Sequence, residues 1–338
     1  MSNNPLPVGK VPTEVLRRCL ASNKIADRRV VVGPGIGEDA AVIDFGETYL
    51  VAKTDPITFA SDRIGWYSIH INANDIATMG ARPRWFLGTV LFPERKTDEA
   101  MVERVFNDIR ASCRELGIEL IGGHMEITYD MPRTIVIGQM LGEVEKDKLV
   151  RNENARPGDD VLLTKGIAVE ATSIIAREKA PDLQGRFDDR FLARCKNFLT
   201  DPGISVVKDA LTANDAARVH AMHDPTEGGL ATGLRELAEA AKCGIHIYED
   251  RIPVLEECER LCRWLGLDPL GVIASGALLI VTRAQAVESV LQAVRRQGIA
   301  CAEIGELTEK RAGLMIETES GVEPLRYSAT YELTKVLR

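Results

Sequence analysis

The sequence lacks the features that mark membrane, secreted and nucleic-acid-binding proteins. No apolar run approaches the roughly 18–20 residues of a membrane span, and the leading segment MSNNPLPVGK has no apolar centre for a signal peptide. The net charge is −8 and the pI is near 5.4, so a basic surface for non-specific nucleic-acid binding is not expected. We therefore expect a cytoplasmic protein that binds neither membranes nor nucleic acids.

Cysteine is sparse as well. The seven cysteines are scattered and odd in number, which argues against a disulfide framework and favours reduced thiols. Cys258 and Cys262 share one face of a predicted helix, but no second pair or nearby histidine accompanies them. A structural zinc site is therefore not expected.

What is present is an ordinary globular composition. The 338 residues are 45% hydrophobic and 27% charged, and this length suits about two domains. Near residues 155–160, ARPGDD, a half rich in antiparallel strand patterns gives way to one that alternates helices and strands. We predict an α+β N-terminal domain over residues 1–155 and an α/β C-terminal domain over residues 156–338.

Hydrophobic periodicity predicts the elements of the first half. Two strands at Ala40–Ile43 and Tyr49–Ala52 form a hairpin, and the second is expected to end at Thr54-Asp55-Pro56. An apolar helix begins near Ile64 and ends before Gly80, because glycine suits the residue just past a helix end.

Later elements follow from the same signals. Thr97 is expected to cap a helix, and a strand over Ile118–Ile127 is expected to turn at Gly122-Gly123. In the second half, a strand over Val219–Asp224 leads into a helix over Pro225–Lys242 with two glycines in its first turns.

A glycine run, Gly33, Gly35 and Gly37, precedes the hairpin. No Lys-Ser/Thr follows it, and its G-x-G-x-G spacing ahead of a strand differs from the dinucleotide fingerprint. Glu38 and Asp39 follow directly. A glycine loop beside carboxylates needs an intervening cation to hold a phosphate.

Acidic or metal-competent side chains recur near predicted element ends: Asp39, Asp55, Asp75, His124 and Glu126. Each has an ordinary alternative as a turn, cap or ion-pair residue. If three carboxylates converge, each pair at about 4 Å costs about 4 kcal/mol at an effective dielectric near 20, against a domain stability of about 5–15 kcal/mol. Oxygen ligands without thiolates then favour Mg²⁺ bridging a polyphosphate over zinc.

A further candidate, Asp224, stands before the glycine-rich helix. Free N–H groups and the helix dipole favour an anion there, although Asp224 could also be a helix cap. The remaining histidines are interpreted as satisfied core or loop residues: His70, His220, His223 and His246.

Five motifs occur in the order typical of one ATP-binding superfamily: GEDAAV, TD, ND-x-ATMGARP, GGHMEI and HDPTEGGLA. From about Val30 to Ile316 the chain resembles this superfamily. Its members include aminoimidazole ribonucleotide synthetase, thiamine monophosphate kinase, selenophosphate synthetase and the hydrogenase expression/formation protein HypE. The segments DPTEGGLA and LGLDPL most resemble HypE and its relatives.

The resemblance implies a two-domain aminoimidazole ribonucleotide synthetase-like fold. Its N-terminal domains would form a β-barrel across a homodimer, and ATP would lie between the domains. Mg²⁺ would be held by Asp39, Asp55 and Asp75, with His124 or Glu126 as a further ligand.

The resemblance also implies which residues meet the nucleotide. Asp224 and Thr226 would face the reacting end. The implied nucleotide contacts are Gly33, Gly35, Gly37, Thr54, Asn74, Gly122, Gly123, Gly228 and Gly229.

The chain departs from HypE where the acceptor would lie. HypE ends in a cysteine that carries a carbamoyl group, whereas this sequence ends in YELTKVLR. Residues 274–277 read ASGA where HypE has Asn-Glu-Gly-Lys, and His124 stands where many members have an acidic residue.

These features predict a Mg-ATP-dependent phosphoryl-transfer enzyme that acts on an unidentified oxygen acceptor. The acceptor could be an amide or carbamoyl group on a small molecule or a protein. The alternatives are a small-molecule kinase resembling thiamine monophosphate kinase and an assembly protein that binds ATP without turnover.

Overall fold

The computed structural model describes residues 11, 13–21, 23–35, 38–58, 62–327 and 332–336. Gly37 of the glycine run lies outside these ranges. The described strands are β1 Val30–Val32, β2 Ala41–Asp44, β3 Thr48–Ile57, β4 Arg82–Pro93, β5 Glu119–Thr128, β6 Ile135–Glu145, β7 Asp159–Thr164, β8 Val219–His223, β9 Gly244–Tyr248, β10 Leu279–Arg283, β11 Cys301–Thr308, β12 Leu314–Thr318 and β13 Gly321–Pro324. The described helices are α1 Thr13–Ala21, α2 Ile64–Thr78, α3 Glu99–Leu116, α4 Val169–Glu178, α5 Ala180–Leu183, α6 Asp189–Asn197, α7 Val207–Ala216, α8 Gly229–Ala241, α9 Glu256–Leu265 and α10 Ala284–Arg296.

The first half is built on a six-stranded sheet of order β1-β2-β3-β6-β4-β5. β4 and β5 are parallel, and the other neighbours are antiparallel. The helices α2 and α3 pack together, and α2 covers the sheet face formed by β3, β6 and β4. Phe86, Val90 and Met140 are fully buried, and the edge strand β5 is exposed over most of its length.

The second half is a seven-stranded sheet of order β13-β12-β9-β11-β7-β10-β8, covered by helices on both faces. Successive residues of a strand point to opposite faces. Leu163 accordingly packs in the apolar cluster that contains α8. Its neighbour Leu162 packs in the cluster that contains residues of α7 and α10. A further cluster joins α4, α6 and α9.

Two glycines of β6 bring α2 close to the sheet. A Cβ atom at Gly138 would lie 2.4 Å from Asn72 Nδ2, and one at Gly142 would lie 2.3 Å from Ile76 Cγ2. Every residue of α2 is buried. The last turns of this helix, which carry Asn74 and Asp75, are therefore held against the strands.

The end of α2 is also where the two halves meet. Asn74 Nδ2 donates to Ile204 O at 2.8 Å, and Asn74 Oδ1 accepts from Val206 N at 2.8 Å. Nearby, Asn214 Nδ2 donates to Lys148 O at 2.7 Å. Both polar atoms of the Asn74 amide thus form hydrogen bonds with backbone groups of the second half.

Several predictions about local structure are confirmed. The β2–β3 hairpin is present. The helix α2 ends where expected, with Gly80 at φ 74° and its N–H bonded to Ala77 O. The helix after Asp224 is also present, but it begins at Gly229 instead of Pro225, with Gly228 as its N-cap.

Other predictions are wrong in detail. β3 runs to Ile57, one residue beyond the predicted end at Thr54-Asp55-Pro56, because β6 pairs with it along its whole length. β5 continues through Gly122 and Gly123 instead of turning, since β4 pairs with both sides of them. Asp98 rather than Thr97 caps α3, because its side chain accepts the Met101 N–H. Among the described residues, no helix combines the length and apolar character needed to cross a membrane.

One buried group of α2 makes stability depend on acidity. His70 is 1% exposed, neither ring nitrogen has a hydrogen-bond partner, and its ring lies against Trp66. Burial, with a smaller effect of Arg63, lowers the pKa of His70 from 6.5 to about 3. The unfolded chain therefore binds a proton that the folded chain excludes, and stability falls as the pH drops below about 6.5.

We expect His70→Phe to reduce this acid sensitivity. The loss in the free energy of unfolding between pH 7 and pH 5 should shrink by about 2 kcal/mol, because each pH unit below the unfolded pKa costs about 1.4 kcal/mol. Urea unfolding at both pH values measures the change. His246→Gln, at a partly exposed histidine of the second half, is the control. An equal loss in wild type and His70→Phe would contradict the assignment.

Candidate active site

The alternation of β3 decides which of its side chains reach α2. Val51 and Ile57 are buried beneath the helix, and Lys53 and Asp55 share their face of the strand. Thr54 points to the opposite face, where it is exposed and its Oγ1 donates to Gly138 O at 2.8 Å. The predicted TD pair is therefore divided between the two faces of the sheet.

Carboxylates from four separate segments converge where β3, α2 and the end of β8 meet. His223 Nδ1 lies 3.3 Å from Asp39 Oδ1. Asp39, His223 and Asp224 each offer a ligand atom, and these atoms lie within 4.8 Å of one another. Lys53 Nζ lies 3.1 Å from Asp75 Oδ2.

The mutual electrostatic effects of these groups extend the cluster to Asp55. Burial, together with Asp39 and Asp55, raises the pKa of Asp75 to about 7, although Lys53 opposes this rise. Burial, Asp75 and Asp39 raise the pKa of Asp224 well above its usual range. The predicted ligands Asp39, Asp55 and Asp75 are thus close enough for the charge on one to make ionisation of another less favourable.

The two cations of the cluster respond in the opposite direction. Burial opposes protonation of His223, but Asp39 and Glu236 outweigh it and raise its pKa well above 6.5. Lys53 behaves alike, since Asp75, Asp55 and Asp39 outweigh burial and raise its pKa. Burial likewise opposes ionisation of Asp39, but His223 and Lys53 overcome it and lower its pKa.

Acidic groups still outnumber the cations. Four aspartates face Lys53 and His223, and His223 also lies 3.1 Å from Glu236 through Nε2. Asp75 Oδ2 and Asp224 Oδ2 are buried without a hydrogen-bond partner. Unpaired buried carboxylate oxygens beside further carboxylates suit a hard divalent cation such as Mg²⁺.

Among the predicted glycines, Gly228 and Gly229 have steric reasons for their positions, whereas Gly33 and Gly35 face only side chains that can move. A Cβ atom at Gly229 would lie 2.4 Å from Leu270 O, and one at Gly228 would lie 2.3 Å from Thr232 Oγ1. A Cβ atom at Gly33 would lie 2.3 Å from Ile25 Cδ1, and one at Gly35 would be 3.1 Å from Glu38 Cγ. The first pair forms the start of α8 directly after Asp224 and Thr226.

Four predicted site residues lie elsewhere: Gly122, Gly123, His124 and Glu126. They belong to β5, which is separated from β3 by β4 and β6. His124 is in register with Thr89, which pairs with Ile137 and through it with Pro56. In-register residues share a sheet face, so His124 lies on the face opposite Lys53 and Asp55. Within one chain His124 and Glu126 do not join the aspartate cluster, and they lie 3.6 Å from each other.

The predicted nucleotide contact of Asn74 also needs correction. Its amide is fully buried and bonded at both ends to backbone of the second half. The structure therefore gives Asn74 the role of joining the halves. Thr54, on the far face of β3, is likewise separated from the cluster.

The sequence interpretation missed three residues of this region. Both ring nitrogens of His223 have polar partners, as expected, but one of these partners is Asp39, so His223 lies inside the cluster. Lys53 was not predicted to be a site residue, although residues two apart in a strand, such as Lys53 and Asp55, have side chains on the same face. Glu170 has a carboxyl whose pKa is raised to about 7 by burial and by Glu227, against a hydrogen bond from Ser275.

Glu170 belongs to a segment next to the cluster. Its backbone N–H donates to Ser275 O, and Ala274 N donates to Thr226 O. These bonds tie the 274–277 segment to the loop that follows Asp224. The segment that departs from HypE thus lies beside the predicted reacting end.

Concave surfaces occur on the first sheet as well. One, of about 310 Å³, is lined by Leu87, Gly88, Thr89, Gly123, Ile137 and Gln139. Another, of about 440 Å³, lies along β5 and α3. Neither contains a carboxylate of the cluster, so the cluster and not cavity size identifies the candidate site.

Comparisons with known proteins agree with this architecture. A family model described as AIR synthase related protein, N-terminal domain, matches residues 37–144, and its C-terminal counterpart matches residues 156–316. A solved structure of hydrogenase maturation protein HypE in complex with ATP has a TM-score of 0.72 at 24% identity, over 88% of this chain and 91% of that one.

Two relatives extend the likeness in sequence. The chain is 28% identical to a Methanocaldococcus jannaschii protein named for hydrogenase expression and formation, over 93% of this chain and 92% of that protein. It is 27% identical to carbamoyl dehydratase HypE of Rhizobium leguminosarum bv. viciae, over 76% and 73%. With both domain models matched in order, the chain belongs to the AIR synthase-related protein family.

Proposed function

We propose that this protein is an ATP-dependent phosphoryl-transfer enzyme of the HypE type, acting on an oxygen acceptor such as an amide or carbamoyl group. The observation that carries the proposal is the convergence of Asp39, Asp55, Asp75 and Asp224 at the junction of the two halves. The names of the relatives, which include carbamoyl dehydratases, and the ATP complex of HypE support it.

The cluster of carboxyl groups suits the metal of a magnesium nucleotide. Mg²⁺ held by Asp39, Asp75 and Asp224, with Asp55 beside them, would neutralise charge on the phosphates of ATP. The start of α8 comes directly after Asp224, and its helix dipole favours an anion there, although Gly229 N and Ala231 N already donate to Thr226 O and Leu270 O. Since phosphoryl transfer depends mainly on positioning and charge neutralisation, these residues supply the main requirements.

The surrounding residues would fix the geometry of the carboxylates. Glu236 and Asp39 hold the two nitrogens of His223, so the imidazole joins α8 to the loop before β2. Asn74 holds the end of α2 against the second half. The acceptor would enter beside Thr226, Ser275 and Glu170, where the chain differs from HypE.

A homodimer would complete the first sheet. The edge strand β5 exposes the apolar residues Ile121, Met125 and Ile127, and an exposed, unpaired apolar edge tends to be covered by another chain. Pairing of two such sheets is consistent with the barrel that the family resemblance implies. A role for His124 and Glu126 at an active site would then require the second chain.

The central carboxylate provides the first test. We expect Asp75→Asn to lower ADP and phosphate release from Mg-ATP by about 100-fold or more, because one preorganised electrostatic contact contributes that much to a transition state. Asp98→Asn, at an exposed helix cap, should keep wild-type turnover. Nucleotides and phosphate are resolved chromatographically, and wild-type turnover by Asp75→Asn would contradict the proposal.

A second test concerns the cation. Mg²⁺ and ATP together should raise the melting temperature by more than the sum of their separate effects, because the complex binds the folded state and stabilises it by mass action. Differential scanning fluorimetry with ATP, Mg²⁺ and both measures this. If Mg²⁺ adds nothing to the shift with ATP, the carboxylates are not a metal site.

A third test concerns assembly. Sedimentation equilibrium should give about twice the chain mass of 37.1 kDa, and Ile127→Lys on β5 should shift the equilibrium toward the monomer because burying a lysine in an apolar contact is unfavourable. Val322→Lys, at an exposed position of β13, is the control. A wild-type protein that sediments only as a monomer would exclude the homodimer.

A further inference from the structure

Lys53 is a cation built into the carboxylate cluster. It lies on the face of β3 that α2 covers, and its Nζ is 3.1 Å from Asp75 Oδ2. Asp55 and Asp39 attract the same ammonium. The Lys53 side chain is 22% exposed, against 9% for Asp75, so the lysine reaches the buried carboxylate from the more open side.

The contact with Asp75 is an ion pair without hydrogen-bond geometry. Asp75 Oδ2 has less than 1 Å² of accessible surface and no hydrogen-bond partner, even though the ammonium is close. Lys53 thus lowers the electrostatic cost of the buried charge but leaves the oxygen's lone pairs available. An oxygen in this condition favours a ligand that coordinates it directly.

Lys53 differs from the other cation in how firmly it is held. The His223 ring is 8% exposed and bound at both nitrogens, by Asp39 and Glu236. Lys53 is a point charge on a flexible four-carbon stem. A competing cation would therefore displace the lysine and leave the histidine in place.

A divalent cation on the Asp75 oxygen would repel Lys53. Mg²⁺ binds carboxylate oxygens at about 2.0–2.1 Å, so an ammonium 3.1 Å from the same atom would lie within about 5 Å of a doubly charged ion. Repulsion between like charges at such distances is large in a partly buried site. A displaced ammonium at the mouth of a nucleotide site would find a phosphate as its natural partner.

We propose that Lys53 is a resident counter-ion that occupies Asp75 until a divalent cation displaces it, and that its ammonium then binds a phosphate of the nucleotide. This inference rests on the proposed function, because it takes the cluster to be the metal-nucleotide site. It makes metal and nucleotide binding cooperative: the metal alone must compete with Lys53, whereas the nucleotide gives the lysine a new partner.

Metal binding without nucleotide tests the inference directly. Mn²⁺, titrated alone and followed by electron paramagnetic resonance, should bind Lys53→Met about tenfold or more tightly than wild type, because a competing charge is gone. With Mn²⁺ present, a non-hydrolysable ATP analogue should bind Lys53→Met about tenfold more weakly, because a charge-assisted contact is lost. Lys146→Met removes a surface lysine paired with Asp44 and should match wild type in both titrations.

The outcomes separate this inference from the proposed function. Equal or weaker Mn²⁺ binding by Lys53→Met, with binding abolished in Asp75→Asn, would overturn the role of Lys53 alone. Absence of Mn²⁺ binding in wild type and Lys53→Met, with and without nucleotide, would overturn the metal site and the inference together.

A second measurement uses the wild-type protein and does not depend on the variant folding. Reductive methylation followed by peptide mass spectrometry reports how accessible each lysine amine is. Mn²⁺ alone should increase labelling of Lys53, and addition of the ATP analogue should protect it again, while Lys146 stays constant. Labelling of Lys53 that is unchanged or reduced by Mn²⁺ would contradict displacement.

Discussion

The structure depends on concentrating negative charge where its two halves meet. Asp39, Asp55 and Asp75 come from the first half and Asp224 from the second, and burial makes their mutual repulsion costly. Lys53 and His223 offset part of that repulsion. Two buried oxygens of the cluster, on Asp75 and Asp224, still have no hydrogen bond.

Holding such groups together requires rigid support from parts of the chain that do no chemistry. Gly138 and Gly142 let α2 approach β6. This close approach brings Asp75 of α2 near Lys53 of the sheet. Asn74, one residue earlier, holds the backbone of the second half at Ile204 and Val206. Asn74 thus joins the two halves, whereas the adjacent Asp75 belongs to the carboxylate cluster.

The region beside the cluster accounts for both likeness to HypE and difference from it. The carboxylates and the glycine-rich start of α8 are the groups to which the family resemblance assigns ATP binding. The 274–277 segment differs, yet it is tied by backbone hydrogen bonds to Thr226 and Glu170. If the cluster binds a magnesium nucleotide as proposed, the 274–277 segment can change to suit another acceptor without disturbing the charge balance of the cluster.

Periodicity and motif order in the sequence predicted the two-part organisation, the β2–β3 hairpin, the bounds of α2, a helix after Asp224, and the aspartates that the structure brings together. These features depend on local propensity and on residues that carry their chemistry in any context. The tertiary structure decided the rest. Docking of α2 on one face of β3 covered Lys53 and Asp55 and left Thr54 on the other face, and pairing with β4 carried His124 to that other face of the sheet. Long-range contacts gave Asn74 its place between the halves and brought His223 to Asp39, since strand register and the docking of the two halves depend on residues far apart in the chain.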